Sequence, residues 1–179
     1  MVGFVILGIV GFGIEGRFTD ILLTRALLIL NVIITMTLSF CHILVPYDGT
    51  KSGDKAFKAA IQIAEKFDAE IIILSCIERE PTFVFFETRA DKRQIKTRIK
   101  KMQEKVDQLK YVADELGIKL RSKVTSCNLA SKCIVSYAKA HEVDLIVMSK
   151  SSMINPEKIY HESTVNYVYR NVSCPMFNL

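Results

Sequence analysis

The chain has 179 residues, half of them hydrophobic and 24% charged, with a formal net charge of +5. That is one domain's worth of chain with enough apolar material for a single core, which excludes a disordered tail and a polytopic membrane protein. So modest a charge argues for solubility before it argues for a polyanionic partner, and with 8 Gly and 4 Pro there is little room for low-complexity linkers.

The first forty residues do not match the rest. Met1 to Ile14 are nearly all apolar, a polar patch from Glu15 to Asp20 follows, and a second apolar run extends from Ile21 to Cys41. The first run is too short to span a bilayer, which takes about 20 apolar residues, and it lacks the basic start and cleavage site of a signal peptide. The second run carries Arg25 near one end, where the side chain can reach toward headgroups. Met36 offers another start, a few residues before the first strand; beginning there removes Glu15, Arg17, Asp20 and Arg25 and leaves the net charge unchanged. Residues 1–40 therefore read as a hydrophobic extension, either upstream of a mis-called start, a membrane anchor over 21–41, or a buried addition, and residues 41–179 as the domain.

From His42 the pattern is regular. His42 to Pro46 is a short apolar run closed by proline, suited to a buried parallel strand. Tyr47-Asp48-Gly49-Thr50 is turn chemistry, and Ser52 is placed to cap a helix with Asp54 in its first turn. Ala56, Phe57, Ala60, Ile61, Ala64 and Phe67 then share one helical face. Glu70 to Cys76 reads as a second strand buried on both faces. Ile95, Ile99, Met102, Val106, Leu109, Ala113 and Leu116 step by four and three along a long helix that Gly117 stops. A strand over Ile118–Thr125, a helix over Ile134–Ala140, a strand over Asp144–Met148 and a helix over Thr164–Asn171 follow. Cys174 to Phe177 closes the sheet. Alternation of this kind predicts an α/β, doubly wound parallel sheet with right-handed crossovers, and ligands of such sheets bind beyond the carboxyl ends of the strands.

The five cysteines, Cys41, Cys76, Cys127, Cys133 and Cys174, form no CxxC pair, and no histidine stands near Cys127 and Cys133 at zinc-ligand spacing. They read as reduced thiols in or near a core, which suits the cytoplasm, and no metal site is expected. His42 begins a strand, His141 ends a helix as a C-terminal cation, and His161 lies in a loop; none has a partner in a nucleophile motif, and no HExxH or GxSxG occurs. No catalytic residue is assigned, and the chain is not expected to be an enzyme.

The segments HILVPYDGT, AEIIILSCIE, DLIVMSKSS and STVNYVYRNVSCPMFNL resemble the universal stress protein family in wording, order and spacing, over about residues 42–179. The resemblance implies a five-stranded Rossmann-like sheet of the adenine-nucleotide alpha hydrolase-like type, in strand order 3-2-1-4-5. In the nucleotide-binding branch of that family, the loop after the fourth strand reads G-x-x-G-x9-G-[S/T]. Here Ser149 and Ser152 take the first two glycine positions, Glu162 the third, and Ser163 keeps the final hydroxyl, with Thr164 beside it. Backbone N–H groups approach phosphate closely only where no Cβ intrudes, and Glu162 sets a carboxylate where a polyphosphate would lie. The cradle is therefore degenerate. The resemblance assigns the adenine end to Pro46, Asp48 and Cys76, with turn formation as the alternative role of Asp48. Ser149, Ser151, Ser152 and Ser163, with Lys150 and Lys158, remain to hold one phosphate, so ATP or AMP is the alternative to no cofactor at all.

Three partner readings follow. The basic residues Arg89, Lys92, Arg93, Lys96, Arg98, Lys100, Lys101, Lys105 and Lys110 line one helix, opposed by Asp91, Glu104 and Asp107. Without interleaved aromatics this reads as a solvated face and not a nucleic-acid surface; anionic lipid enters only if residues 21–41 are an anchor. The apolar last strand from Pro175 to Leu179 and the family's habit of pairing through that edge imply a homodimer. The expectation is a non-catalytic sensor or interaction domain of the stress response, with weak adenine-nucleotide binding as its alternative.

Overall fold

The computed structural model describes residues 24–29, 39–79, 89–149 and 163–179. The chain divides into two units, Met1–Ser39 and Phe40–Leu179. In the first, residues 24–29 are helical, with Leu27, Leu28 and Ile29 exposed. Among the described residues no helix is long and apolar enough to cross a membrane; most of the 21–41 run considered as an anchor lies outside them.

The second unit runs β1 (His42–Pro46), α1 (Lys51–Phe67), β2 (Glu70–Glu78), α2 (Arg89–Glu115), β3 (Leu120–Cys127), α3 (Ala130–Ala140), β4 (Leu145–Met148), α4 (Thr164–Asn171) and β5 (Met176–Asn178). The strands form one sheet in the order β3-β2-β1-β4-β5, every neighbouring pair parallel. This is the doubly wound sheet expected from the alternation, with the expected strand order.

Alternate residues of the central strands face opposite helix layers. Ile43, Val45, Ile71, Ile73 and Val147 pack with Ala56, Phe57 and Ala60 of α1 and Val106 and Ala113 of α2. Leu44, Ile72, Leu74 and Ile146 pack with Ile134, Val135 and Ala138 of α3 and Val168 of α4. Full burial of each such side chain stabilises by about 1.5–3 kcal/mol, and β1, β2 and β4 are sealed because both of their faces are covered.

Several boundaries move from their expected places, each for a physical reason. The cap of α1 is Thr50, whose side chain accepts from the Gly53 N–H, and Ser52 lies inside the helix. Phe67 is 42% exposed, set edge-on to Phe40 with ring centroids 5.1 Å apart. Leu116 is also exposed, because α2 ends at Glu115 and Gly117 turns the chain away at φ +69°. β2 reaches Glu78 and β3 starts at Leu120 and reaches Cys127, since ladder pairing continues through Glu78 and Cys127 beyond the apolar stretch. The helix expected from Ile134 starts at Ala130. Its flanking residue Leu129 offers no side-chain cap; the Ala130 N–H donates instead to Glu78 Oε1 at 2.9 Å. β5 begins at Met176, two residues after Cys174.

The amino-terminal edge of the sheet is held by charge. Asp144 Oδ2 accepts from the N–H groups of Cys41 and His42, both at 2.8 Å, and Arg121 Nε meets Glu70 Oε1 at 2.7 Å. His42 lies at this edge, 4.0 Å from Glu70 and 3.9 Å from Asp144.

Candidate functional site

The carboxyl ends of β1, β2 and β4 carry the residues expected to bind a ligand. After β1, Pro46 completes the strand opposite Leu74 and Tyr47 turns inward. Tyr47 is buried, and its hydroxyl donates to Asp54 Oδ1 at 2.8 Å. Burial, then that hydrogen bond and the nearby charges of Asp54 and Asp48, push the phenol well above its usual range. Asp48 follows. Its Oδ1 accepts from the Thr50 N–H at 3.0 Å and the Thr50 hydroxyl at 2.6 Å, and Thr50 Oγ1 in turn accepts from the Gly53 N–H at 3.3 Å. Asp48 thus organises the entry to α1, which is the turn role foreseen as its alternative. Both bonds fall on one oxygen, so Oδ2 has no partner among the described residues.

Gly49 shows how tight this loop is. Its φ is +75°, and its carbonyl accepts from Lys105 Nζ at 2.8 Å. A Cβ there would lie 3.0 Å from that nitrogen and 3.3 Å from Met102 Cε. Lys105 belongs to the basic run of α2, and so does Arg98, whose Nη1 donates to the Glu78 carbonyl at 3.2 Å. Both cations fasten the helix to strand ends, a role invisible in a run where nine residues from Arg89 to Lys110 are basic.

After β4, Ser149 Oγ donates to the Leu179 carbonyl at 3.3 Å, while the Leu179 N–H donates to the Met148 carbonyl at 3.0 Å. Ser163 caps α4, accepting from the Asn166 N–H at 3.2 Å, and Thr164 is the first residue of that helix. Ser152, with Lys150, Ser151, Pro156, Lys158, His161 and Glu162, lies outside the described residues.

Cys76 packs at the edge of the apolar cluster against α3 and α4, where it meets two further thiols. The Sγ atoms of Cys76, Cys127 and Cys133 all lie within 4.8 Å of one another. Burial raises the Cys76 thiol strongly, and its hydrogen bond to Cys133 and the proximity of Cys127 add to that. Burial also raises Cys127, with Cys133 and Glu78 adding to it and the Cys76 hydrogen bond opposing. Spacing along the chain concealed this convergence; register displays it, because Cys76 stands opposite Thr125, so Cys127, two residues on, shares its face. Beside Cys76, the Ser75 side chain is fully buried and its hydroxyl has no hydrogen-bond partner among the described residues.

The two described histidines sit elsewhere. His42 is at the amino edge of the sheet. His141 closes α3, its ring stacked on Tyr137 at 3.8 Å and its Nδ1 2.9 Å from the Tyr137 carbonyl oxygen.

Comparison with known proteins agrees with this architecture. The sequence pattern of the Universal stress protein family matches residues 39–177. A universal stress protein of Methanocaldococcus jannaschii is 32% identical over 135 residues, covering 75% of this chain and 78% of the relative. Among solved structures, universal stress protein UspA from Lactobacillus plantarum superposes with a TM-score of 0.66 at 24% identity, over 79% of this chain and 99% of that one. A universal stress protein family protein from Arabidopsis thaliana, solved with AMP bound, gives a TM-score of 0.56 at 12% identity, over 78% and 90% of the two chains. At these identities the structural likeness speaks for the fold alone.

Proposed function

This chain belongs to the universal stress protein family, and from that premise we propose that its domain is a non-catalytic sensor and interaction module of the stress response, acting as a cytoplasmic homodimer that has given up tight triphosphate binding. The observation that carries this reading is the first position of the phosphate loop. Where the family's nucleotide-binding branch has glycine, this chain has Ser149, and its hydroxyl is bonded to Leu179. A Cβ and a committed hydroxyl replace the bare backbone a phosphate needs. Ser163 is likewise committed to the Asn166 N–H, which takes up a helix-terminal donor that would otherwise serve an anion. Glu162 adds a negative charge in the same stretch of sequence.

What supports the dimer reading is β5, an outer strand of the sheet. Phe177 within it and Leu179 just after it are each 46% exposed, and an outer strand with apolar side chains and unpaired backbone groups is stabilised by a second copy. The non-catalytic reading is supported by the described histidines, His42 and His141, which both lie away from the ligand edge.

One observation favours weak mononucleotide binding as a second reading. Asp48 Oδ2, without a partner among the described residues, can accept from an adenine amine or ribose hydroxyl, and a family member from Arabidopsis thaliana carries AMP. Calorimetric titration with ATP and AMP, alongside sedimentation equilibrium, tests both readings. The expected result is a dimer with no micromolar ATP binding, AMP binding being weak or absent. Micromolar ATP affinity refutes the degenerate loop, and a monomer at all concentrations refutes the dimer.

A further inference from the structure

We propose that Cys76, Cys127 and Cys133 form a binding site for one soft divalent d10 cation, zinc or its analogue cadmium, held by three thiolates with a fourth position open to solvent. The three sulfurs come from three different elements. Cys76 lies on β2, Cys127 ends β3, and Cys133 stands in the first turn of α3. Neighbouring parallel strands bring the first two to one face of the sheet, and the helix that follows β3 lays the third across them.

The spacing suits a shared ion. Zinc–thiolate bonds of about 2.3 Å in a tetrahedral site put sulfurs roughly 3.8 Å apart. The observed atoms already lie within 4.8 Å of one another, so closure asks for shifts of at most about 1 Å, within reach of cysteine rotamers. All three residues are only partly buried, which leaves an entry path. No His, Asp or Glu among the described residues joins the cluster at the same range, so solvent or an outside ligand supplies the fourth donor.

Thiolate donors select soft ions over magnesium or calcium, and local charge selects a divalent one. Three thiolates around a dication leave one net negative charge, which the positive end of α3 favours. A monovalent ion would leave two, close to Glu78, whose carboxylate already occupies the Ala130 N–H at the start of that helix. Binding is plain exchange: three S–H bonds give their protons to solvent, three metal–sulfur bonds form, ordered water leaves the ion, and nothing is oxidised. The metal chemistry needs no nucleotide and shares only Cys76 with the residues that the resemblance places at the adenine end, so a cadmium readout in nucleotide-free protein is separable from the ATP and AMP titration above.

The test is titration of the full chain carrying Cys41→Ser and Cys174→Ser with cadmium, read by the thiolate-to-cadmium charge-transfer band. One equivalent is expected to saturate it, and Cys76→Ser, Cys127→Ser or Cys133→Ser to weaken binding by at least about 100-fold. In the unchanged chain, one equivalent is expected to shield Cys76, Cys127 and Cys133 from alkylation while the exposed Cys41 still reacts; this reading requires no substitution to fold. Absence of a saturable single equivalent, binding that survives loss of all three cysteines, or a disulfide joining two of them in acid-quenched cells would overturn the site.

Discussion

The two sides of the sheet's carboxyl edge are built from different chemistry. Beyond β1 the groups are oxygens and an ammonium, and nearly all have found protein partners: Asp48 with Thr50, Tyr47 with Asp54, Lys105 with Gly49. Beyond β2 and β3, where Glu78 accepts from the Ala130 N–H and Arg79 donates to Ser126, three sulfurs also meet, and their hydrogen bonds to one another are weak. The first side spends its polar atoms on holding the entry of α1; the second keeps three donors together with little else to satisfy them. A ligand at the first must compete with bonds already made, whereas at the second an ion displaces only protons.

Substitutions on either side test that contrast. The largest effect is expected at Tyr47. Tyr47→Ala empties a buried aromatic site beside α1 and should cost about 3 kcal/mol or more in denaturant unfolding. Tyr47→Phe keeps the ring and isolates the hydroxyl. Because the folded phenol is raised above its unfolded value, the folded state keeps the proton after the unfolded state has released it. The stabilisation is therefore whole below about pH 10 and lost as pH rises beyond it. Unfolding curves across that range should decline in the parent and be flatter in Tyr47→Phe. Next in size is Glu78→Ala, which removes the remote cap of α3; about 1 kcal/mol of stability should go, and cadmium affinity should fall as Cys133 loses its fixed position. The smallest is Ser75→Ala. Deleting a buried hydroxyl that has no protein partner among the described residues should leave stability unchanged or slightly raised, and a loss above about 1 kcal/mol would reveal a bond to water or ligand at the boundary between the two sides.

Much of the fold was legible because the strands that matter are sealed on both faces. His42–Pro46 and the run through Ile71 to Leu74 are apolar at every core position, and such runs admit few readings once helices alternate with them. What stayed hidden depended on partners far along the chain. The start of α3 was missed because its cap is Glu78, 52 residues from Ala130, where a local hydroxyl would have announced it. Ser52 was the expected cap of α1, but the cap is Thr50, held in place by the bond its hydroxyl donates to Asp48. β3 continues to Cys127 with exposed or half-buried residues, so hydrophobicity ended before pairing did. Of the candidate site, Pro46 ends β1 with Asp48 in the turn that follows, and Ser163 and Thr164 share one helix start, as their order along the chain implied. The thiol cluster was not foreseen. Its signal was the pairing of β2 with β3 taken together with cysteines near the carboxyl ends of both, which becomes readable only once register is known.

The contrast between the two sides is tested most directly by amide chemical shifts of the isotopically labelled full chain, titrated with ATP and, separately, with cadmium. Cadmium should move the amides of Cys76, Cys127 and Cys133 at one equivalent, while micromolar ATP leaves Asp48, Thr50, Ser149 and Asn166 in place. Saturable ATP shifts at those four residues, with the three cysteines silent to cadmium, would contradict it.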